Sequence, residues 1–322
     1  MAYYLGIDGG GTKTTCAAGD EQQLLATATA GPSNMVRVGE AKARESLHLA
    51  VRQTCAAVGI DPQQVAHTCV GGSGAAHPEL AAAVRQALAE ILPTPIAVVG
   101  DMEIALEAAF GAGPGIIVIA GTGSIAFGRD QRGKTVRAGG WGFAVSDEGS
   151  AHWIGRAAIS ALLRAADVAA DAPVTAKNSR LEGAIFKAWG VTSLADLARA
   201  ANAIPPPDFA ALFPPVAAAC GDELARQVLT NAGNELAQLA GVVIQRLFAA
   251  PGVVSGRTAP APGESVRVAM TGGVFRHAPL VRQVFSNELR RIDAQAEIHP
   301  QVVEPVEGAL RLARRMAAKN SG

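Results

Sequence analysis

A chain of 322 residues with 28 basic and 28 acidic side chains carries no net charge, which excludes the electrostatic footprint of a nucleic-acid binder or an anionic-membrane binder and leaves a small neutral or anionic ligand as the partner to expect. Hydrophobic residues make up 49%, yet no apolar run approaches the ~20 residues of a membrane-spanning helix and no basic, then apolar, leader opens the chain, so a cytoplasmic protein large enough for two domains is expected. Cys16, Cys55, Cys69 and Cys220 form no C-x-x-C pair and no cluster with the six dispersed histidines, which predicts reduced, mostly buried thiols and no zinc site.

In chain order, residues 3 to 8 and 14 to 18 read as strands, and "LLATATA" at 24 to 30 as a third after the polar turn "GDEQQ". Gly6 to Gly11 has the G-x-x-x-x-G spacing of a Walker A loop, but Thr12 stands where the lysine must follow and Lys13 comes one residue late. The loop also leads into a strand, whereas a Walker A loop opens a helix whose N-terminal N–H groups hold the phosphates. Residues 39 to 59 carry apolar positions at helical spacing and close on Gly59; "VAHTCV" follows as a strand, then a glycine-rich turn and a helix reaching residue 92. "IAVVG" at 96 to 100 is a strand ending at Asp101, and 102 to 110 is helical, an alternation that predicts parallel pairing with crossover helices.

"GIIVIAGTGSIAFGRD", 115 to 130, repeats the opening device of strand, glycine-threonine turn and strand, so the chain reads as two similar halves. After "GGWGFAVSDEGSAHWIG" a largely helical stretch runs from about 175 to 250, interrupted by the prolines at 205 to 207 and by Pro214 and Pro215. By composition 251 to 265 is a mobile surface loop; "VRVAMTGGVFRHAPLVRQVFSNELRRI" restores strand, glycine turn and helix, and a helix with proline at its start ends the chain.

Asp8 ends a strand and precedes three glycines. Their bare N–H groups suit phosphate oxygens, and a carboxylate beside them fits if magnesium lies between, usually through water. The plain alternative is a tight hairpin whose glycines satisfy positive φ angles. Gly121, Thr122, Gly123 and Ser124 offer the same mixture, and two such loops are hard to explain as coincident turns. Asp101 is placed at a strand's C-terminal end, as a helix N-cap or as the base that takes a proton from an attacking hydroxyl. Asp147 and Glu148 read either as first-turn acids complementing a helix dipole or as acceptors for sugar hydroxyls beside the aromatic wall of Trp141. "GPSN", 31 to 34, passes as a turn, and its asparagine matters only in combination.

In their order and spacing, "GIDGGGTKTT", "GPSN", "GDMEIALEAA", "AGTGS", "GGWGFAVSDEGSAHWIG", "CGDELA", "MTGGV" and "PVEGALRLA" resemble the ATPase superfamily of actin, heat-shock chaperones and hexokinases, and within it the BadF/BadG/BcrA/BcrD type and the N-acetylglucosamine kinases. The resemblance covers nearly the whole chain. It implies an α/β fold of two actin-like (ribonuclease H-like) domains, each a mixed five-stranded sheet with helices, with a cleft between them. The domains would be 1 to 118 and 119 to 322, the second with a helical insertion at about 167 to 250. It implies an ATP-dependent kinase acting on the 6-hydroxyl of N-acetylglucosamine, with glucosamine and N-acetylmuramate as alternative substrates and a homodimer as the assembly. Carried over by motif, Asp8 would organise Mg2+ through water, Gly10, Gly11, Thr12 and Lys13 would hold one end of the triphosphate and Gly121, Thr122 and Gly123 the other. Gly221, Gly272 and Gly273 would lie on the nucleotide side. Asp101 would be the base, and Asn34, Ser73, Gly140, Trp141, Gly142 and Asp147 would line the sugar pocket with it. The animal enzymes have asparagine after "GTGS", where this chain has Ile125.

Rival readings fit less well. The electron donors to 2-hydroxyacyl-CoA dehydratases bridge an iron–sulfur cluster with cysteines of a kind not matched here. A sugar-responsive regulator would need a DNA-binding module, a filament subunit would not need the sugar motifs, and the G-x-S-x-G of a hydrolase fails at Ala75.

Overall fold

The computed structural model describes residues 2–72, 74–75, 77–169, 179–248 and 265–320. The chain divides into one unit of 1–117 with 303–322 and another of 118–302. Of the surface loop expected over 251 to 265, all but Ser265 lies outside the described residues.

In the first unit, β1 (Tyr3–Gly9), β2 (Thr14–Gly19), β3 (Leu24–Ala30), β4 (Val65–Gly72) and β5 (Ile96–Gly100) form a five-stranded sheet in the order β3-β2-β1-β4-β5. β2 is antiparallel to β1 and β3, as short hairpin links require, while β4 is parallel to β1 and to β5. The crossovers carry α1 (Met35–Val38), α2 (Glu40–Val58) and α3 (Pro78–Ala89), and α4 (Asp101–Phe110) follows β5. Strand alternation sends Leu5, Ile7 and Val70 to one face, where Leu47 and Val51 of α2 and Leu88 of α3 cover them. Cys69 faces the other way, into a cluster with Ile104 of α4 and with Ala309 and Ala313 of the last helix, here numbered after the others as α12 (Pro305–Asn320).

That helix corrects the expected domain limits: residues 303 to 322 belong to the first unit, although a domain running from 119 to the end was expected. The reason is packing. Val306 and Leu310 bury against Ala17, and Gly308 passes so close to α4 that a Cβ there would overlap the carbonyl oxygen of Ile104. Burial raises the Cys16 and Cys69 thiols to about 12 and Cys55 to about 11, so these three are unreactive, while Cys220 is exposed.

The second sheet has the order β10-β9-β6-β7-β8, from β6 (Gly115–Ala120), β7 (Ser124–Arg129), β8 (Thr135–Gly139), β9 (Val266–Thr271) and β10 (Ala296–Val302). β7 and β8 are antiparallel and β9 and β10 parallel, so this sheet too is mixed. β10 was not foreseen, because "AEIHPQV" neither alternates nor avoids proline; as an edge strand with a register shift after Ile298 it tolerates Pro300. The helical stretch comprises α5 (Ala151–Ala169), α6 (Arg180–Trp189), α7 (Leu194–Ala201), α8 (Phe213–Ala218) and α9 (Glu223–Phe248). Pro214 and Pro215 occupy the first turn of α8, where a missing N–H costs nothing. α10 (Gly273–His277) and α11 (Pro279–Ile292) follow β9, and α11 packs along α9.

Candidate active site

The parallel register of the first sheet brings several strand ends together. Gly9 stands opposite Gly72, and Gly72 opposite Gly100, so the carboxyl ends of β1, β4 and β5 share one edge. Asp8 lies there, half-buried between Thr15 of β2 and Gly71 of β4. The connection to β2 is a tight turn in which Gly10 N donates to Lys13 O at 3.0 Å, leaving Gly11 partly exposed and Thr12 and Lys13 exposed. Ser33 N donates to Gly10 O at 3.2 Å and ties this turn to the segment carrying Asn34. Asn34 caps α1, its Oδ1 accepting from Arg37 N at 3.2 Å. Ser73 lies outside the described residues.

Asp101 sits on the same edge and is not the cap of α4: Gly100 takes that position, and Asp101 is the first helical residue. Its Oδ1 accepts from Met102 N at 2.9 Å, while Glu103 Oε1 accepts from Gly100 N at 3.2 Å. Burial pushes the Asp101 carboxyl above the ordinary carboxylate range, against the pull of the Met102 and Asp101 N–H groups. A carboxylate whose proton affinity is raised is suited to accept a proton. Among the described residues no group of three or more His, Cys, Asp or Glu side chains converges as a metal cage. One carboxylate, Asp8, beside a turn bearing a hydroxyl and an ammonium fits magnesium held chiefly through water and phosphate oxygens.

In the second unit two motifs fold into one assembly. Gly121 N donates to Gly123 O at 2.9 Å and closes the turn between β6 and β7, while Ala151 N and His152 N, at the start of α5, donate to Gly121 O at 2.9 Å and Thr122 O at 3.3 Å. Asp147 turns back onto this loop: its Oδ1 accepts from Ser124 N at 3.3 Å, and a Cβ on Gly123 would lie 2.8 Å from its Oδ2. Asp147 achieves this at φ 66°, in the left-handed region, and burial together with neighbouring Glu148 raises its carboxyl against the Ser124 hydrogen bond. The residue expected as an acceptor for sugar hydroxyls thus braces the glycine-threonine turn with one of its oxygens. Ser124 Oγ adds a second tie, donating to Glu148 O at 2.7 Å.

Trp141 is 71% exposed, and Gly139, Gly140 and Gly142 around it all have positive φ. The Arg137 guanidinium lies 4.2 Å from its ring centroid and donates to Gly139 O at 3.1 Å and Gly140 O at 3.3 Å. Arg137 was missed in the sequence; an arginine four residues before a tryptophan set among glycines is the signal that could have found it. Gly140 packs on Ile125, the residue at which this chain departs from the animal kinases. Gly272, capping α10, lies against the Ala120 carbonyl and so beside the Gly121 turn, and Gly273 opens that helix. Gly221 is held elsewhere: adjacent Asp222 accepts from Leu181 N at 3.3 Å and Leu224 N at 3.0 Å, joining the starts of α6 and α9, and α8 before it touches α10.

Known proteins are similar to this chain in sequence and in fold. A curated N-acetylmuramic acid/N-acetylglucosamine kinase of Clostridium acetobutylicum is 31% identical over 242 residues, covering 73% of this chain and 77% of that protein. An N-acetyl-D-glucosamine kinase of Dictyostelium discoideum is 29% identical over 326 aligned positions, covering 96% and 97%. A crystal structure from Chromobacterium violaceum, described there as a candidate N-acetylglucosamine kinase, superposes with a TM-score of 0.72 at 26% identity over 97% of this chain and 99% of its own. The model of the BadF/BadG/BcrA/BcrD ATPase family matches residues 5–313, and with two mixed five-stranded sheets carrying its motifs at strand ends and turns, the chain belongs to that family.

Proposed function

We propose that this protein is an ATP-dependent amino-sugar kinase that phosphorylates the 6-hydroxyl of N-acetylglucosamine, releasing ADP. The observation that carries the reading is the part-buried carboxylate of Asp101, raised in proton affinity, at the strand edge that also presents Asp8, with the segment carrying Asn34 tied to the turn that follows Asp8. The Asp101 carboxylate takes the proton of the sugar hydroxyl as its oxygen attacks the γ-phosphorus; the bond to the bridging oxygen breaks, and ADP leaves with the electron pair. In the first unit the Gly10 to Lys13 turn offers N–H groups and the Lys13 ammonium to phosphate oxygens, and in the second unit the Gly121 to Gly123 turn, with Thr122, offers N–H groups and a hydroxyl of the same kind. Gly272, Gly273 and Gly221 lie toward the nucleotide. Magnesium, when bound near Asp8, neutralises phosphate charge. For the sugar, the first unit offers Asn34 and, by its motif, Ser73, and the second offers Gly140, Trp141, Gly142 and Asp147, the indole giving an apolar face for the ring.

N-acetylmuramic acid is the second substrate to test, since the name of the Clostridium relative includes it. The experiment is ADP release from magnesium ATP with N-acetylglucosamine, N-acetylmuramic acid, glucosamine, glucose and no sugar. Strong stimulation by an acylated amino sugar is the expected result; sugar-independent hydrolysis refutes the kinase.

A further inference from the structure

The loop that carries Trp141 has little of its own to hold it. Gly139, Gly140 and Gly142 sit at φ 72°, 69° and 100°, backbone that only glycine adopts freely, and each glycine adds chain entropy that ordering must overcome. Apolar packing does not fix the indole either: Trp141 is 71% exposed, and Phe143 and Val145 beyond it are exposed as well. Among the described residues, Arg137 is the side chain that stacks on the indole, its guanidinium 4.2 Å from the ring centroid. Its Nη1 also donates to two successive carbonyls of the loop, Gly139 O at 3.1 Å and Gly140 O at 3.3 Å. A guanidinium can do both because it is flat: the face stacks on an aromatic ring while the N–H groups point outward in a fixed fork. Arg137 is itself anchored, standing in β8 opposite Phe127 of β7 with its own carbonyl accepting from Arg246 Nη1 of α9 at 3.0 Å.

We infer that Arg137 is a positioning residue for sugar binding: it pins the Trp141 indole to the second sheet, covers one face of the ring and leaves the opposite face open for the sugar. The inference rests on Trp141 facing the sugar, as proposed above. A rigid strand thus supplies the order that the glycine loop lacks. Without the tether the loop and its indole would have to be ordered at each binding event, and affinity would fall by that cost. Because Arg137 acts through the indole, its loss appears in the KM for sugar and not in the KM for ATP.

Wild type, Arg137→Ala, Trp141→Ala and the double variant are compared by kcat and KM and by titrating tryptophan emission with N-acetylglucosamine in the absence of nucleotide. Trp141→Ala removes the emission of position 141 and leaves that of Trp153 and Trp189, so the difference isolates the indole in question. Arg137→Ala should raise KM for the sugar about tenfold and KM for ATP less than about twofold, shift the emission titration by the same factor as the sugar KM, and add nothing to Trp141→Ala. Arg137→Lys keeps a cation but not the flat fork and should shift the sugar KM about threefold, which carries the test if the alanine variant folds poorly. Losses that multiply in the double variant, or equal rises in KM for sugar and for ATP, overturn the inference and leave the kinase standing. A sugar-dependent Trp141 signal weakened by Arg137→Ala, with no ADP release from any variant, upholds the positioning role and refutes the kinase. An indole whose emission no sugar perturbs overturns the positioning role.

Discussion

Asp101 places a carboxylate where burial opposes its charge, and both its expected reactivity and its effect on stability follow from that. As the base it must be deprotonated, so turnover should fall on acidification at a pH above the ordinary carboxylate range. Asp101→Asn should retain sugar binding and lose roughly 10²- to 10⁴-fold in kcat; undiminished turnover removes it from the proposed role. The stability effect has the opposite sense. A carboxyl whose folded proton affinity is raised favours the folded state when protonated, below its unfolded pKa, and loses that contribution as pH rises through the higher folded value. Asp101→Asn should therefore raise the melting temperature near neutral pH, with the gain vanishing in acid, and a melting difference flat across pH would contradict it. For Asp147 the structure redirects the expectation. Since it braces the Gly121 to Gly123 turn, Asp147→Ala should raise KM for ATP as well as for sugar, each by roughly tenfold; a change confined to sugar would show that the brace is unimportant. Both aspartates were legible as candidates, Asp101 from its place at a strand's C-terminal end and Asp147 from following the glycine–tryptophan run. Which atoms they bond was not, because the left-handed turn at Asp147 depends on tertiary packing.

At the level of elements, α4 carries Asp101 and is itself anchored at its far end. Glu107, 4% exposed, meets Arg315 of α12 through two hydrogen bonds, at 2.9 Å and 2.8 Å, and Arg311 Nη1 adds a bond to Ala108 O at 3.0 Å. Removing the arginine would leave a buried carboxylate without its partner, so Arg315→Ala should cost about 2–3 kcal/mol in urea unfolding, toward the low end because Arg315 is itself partly exposed. A loss under about 0.5 kcal/mol would place the pair among ordinary surface contacts. Glu107 and Arg315 lie 208 residues apart, and although Glu107 falls within "GDMEIALEAA", nothing in the sequence pairs it with Arg315. The strands β1 to β5, by contrast, were legible from apolar runs bounded by glycine and polar turns. β10 was hidden by its proline, and α1 by being a single turn.

At the scale of the molecule, the first unit is discontinuous. Deleting residues 303–322 would strip Val306, Ala309, Leu310 and Ala313 from one face of the first sheet and expose Ile104 and Cys69. Amide exchange should then show lost protection in β1 and β4 rather than first in β6 to β9; preserved protection in β1 and β4 would show that this unit folds without its last helix. Apolar periodicity and glycine turns by themselves determined the α/β class and the two strand–turn–strand devices, because these are set by local backbone preference, while the proposed phosphate and sugar residues came from short motifs and the family resemblance. Tertiary structure decided that α12 returns to the first sheet and that Asp147 folds onto the Gly121 turn. Each of these joins residues distant in sequence, and packing rather than local propensity selects them.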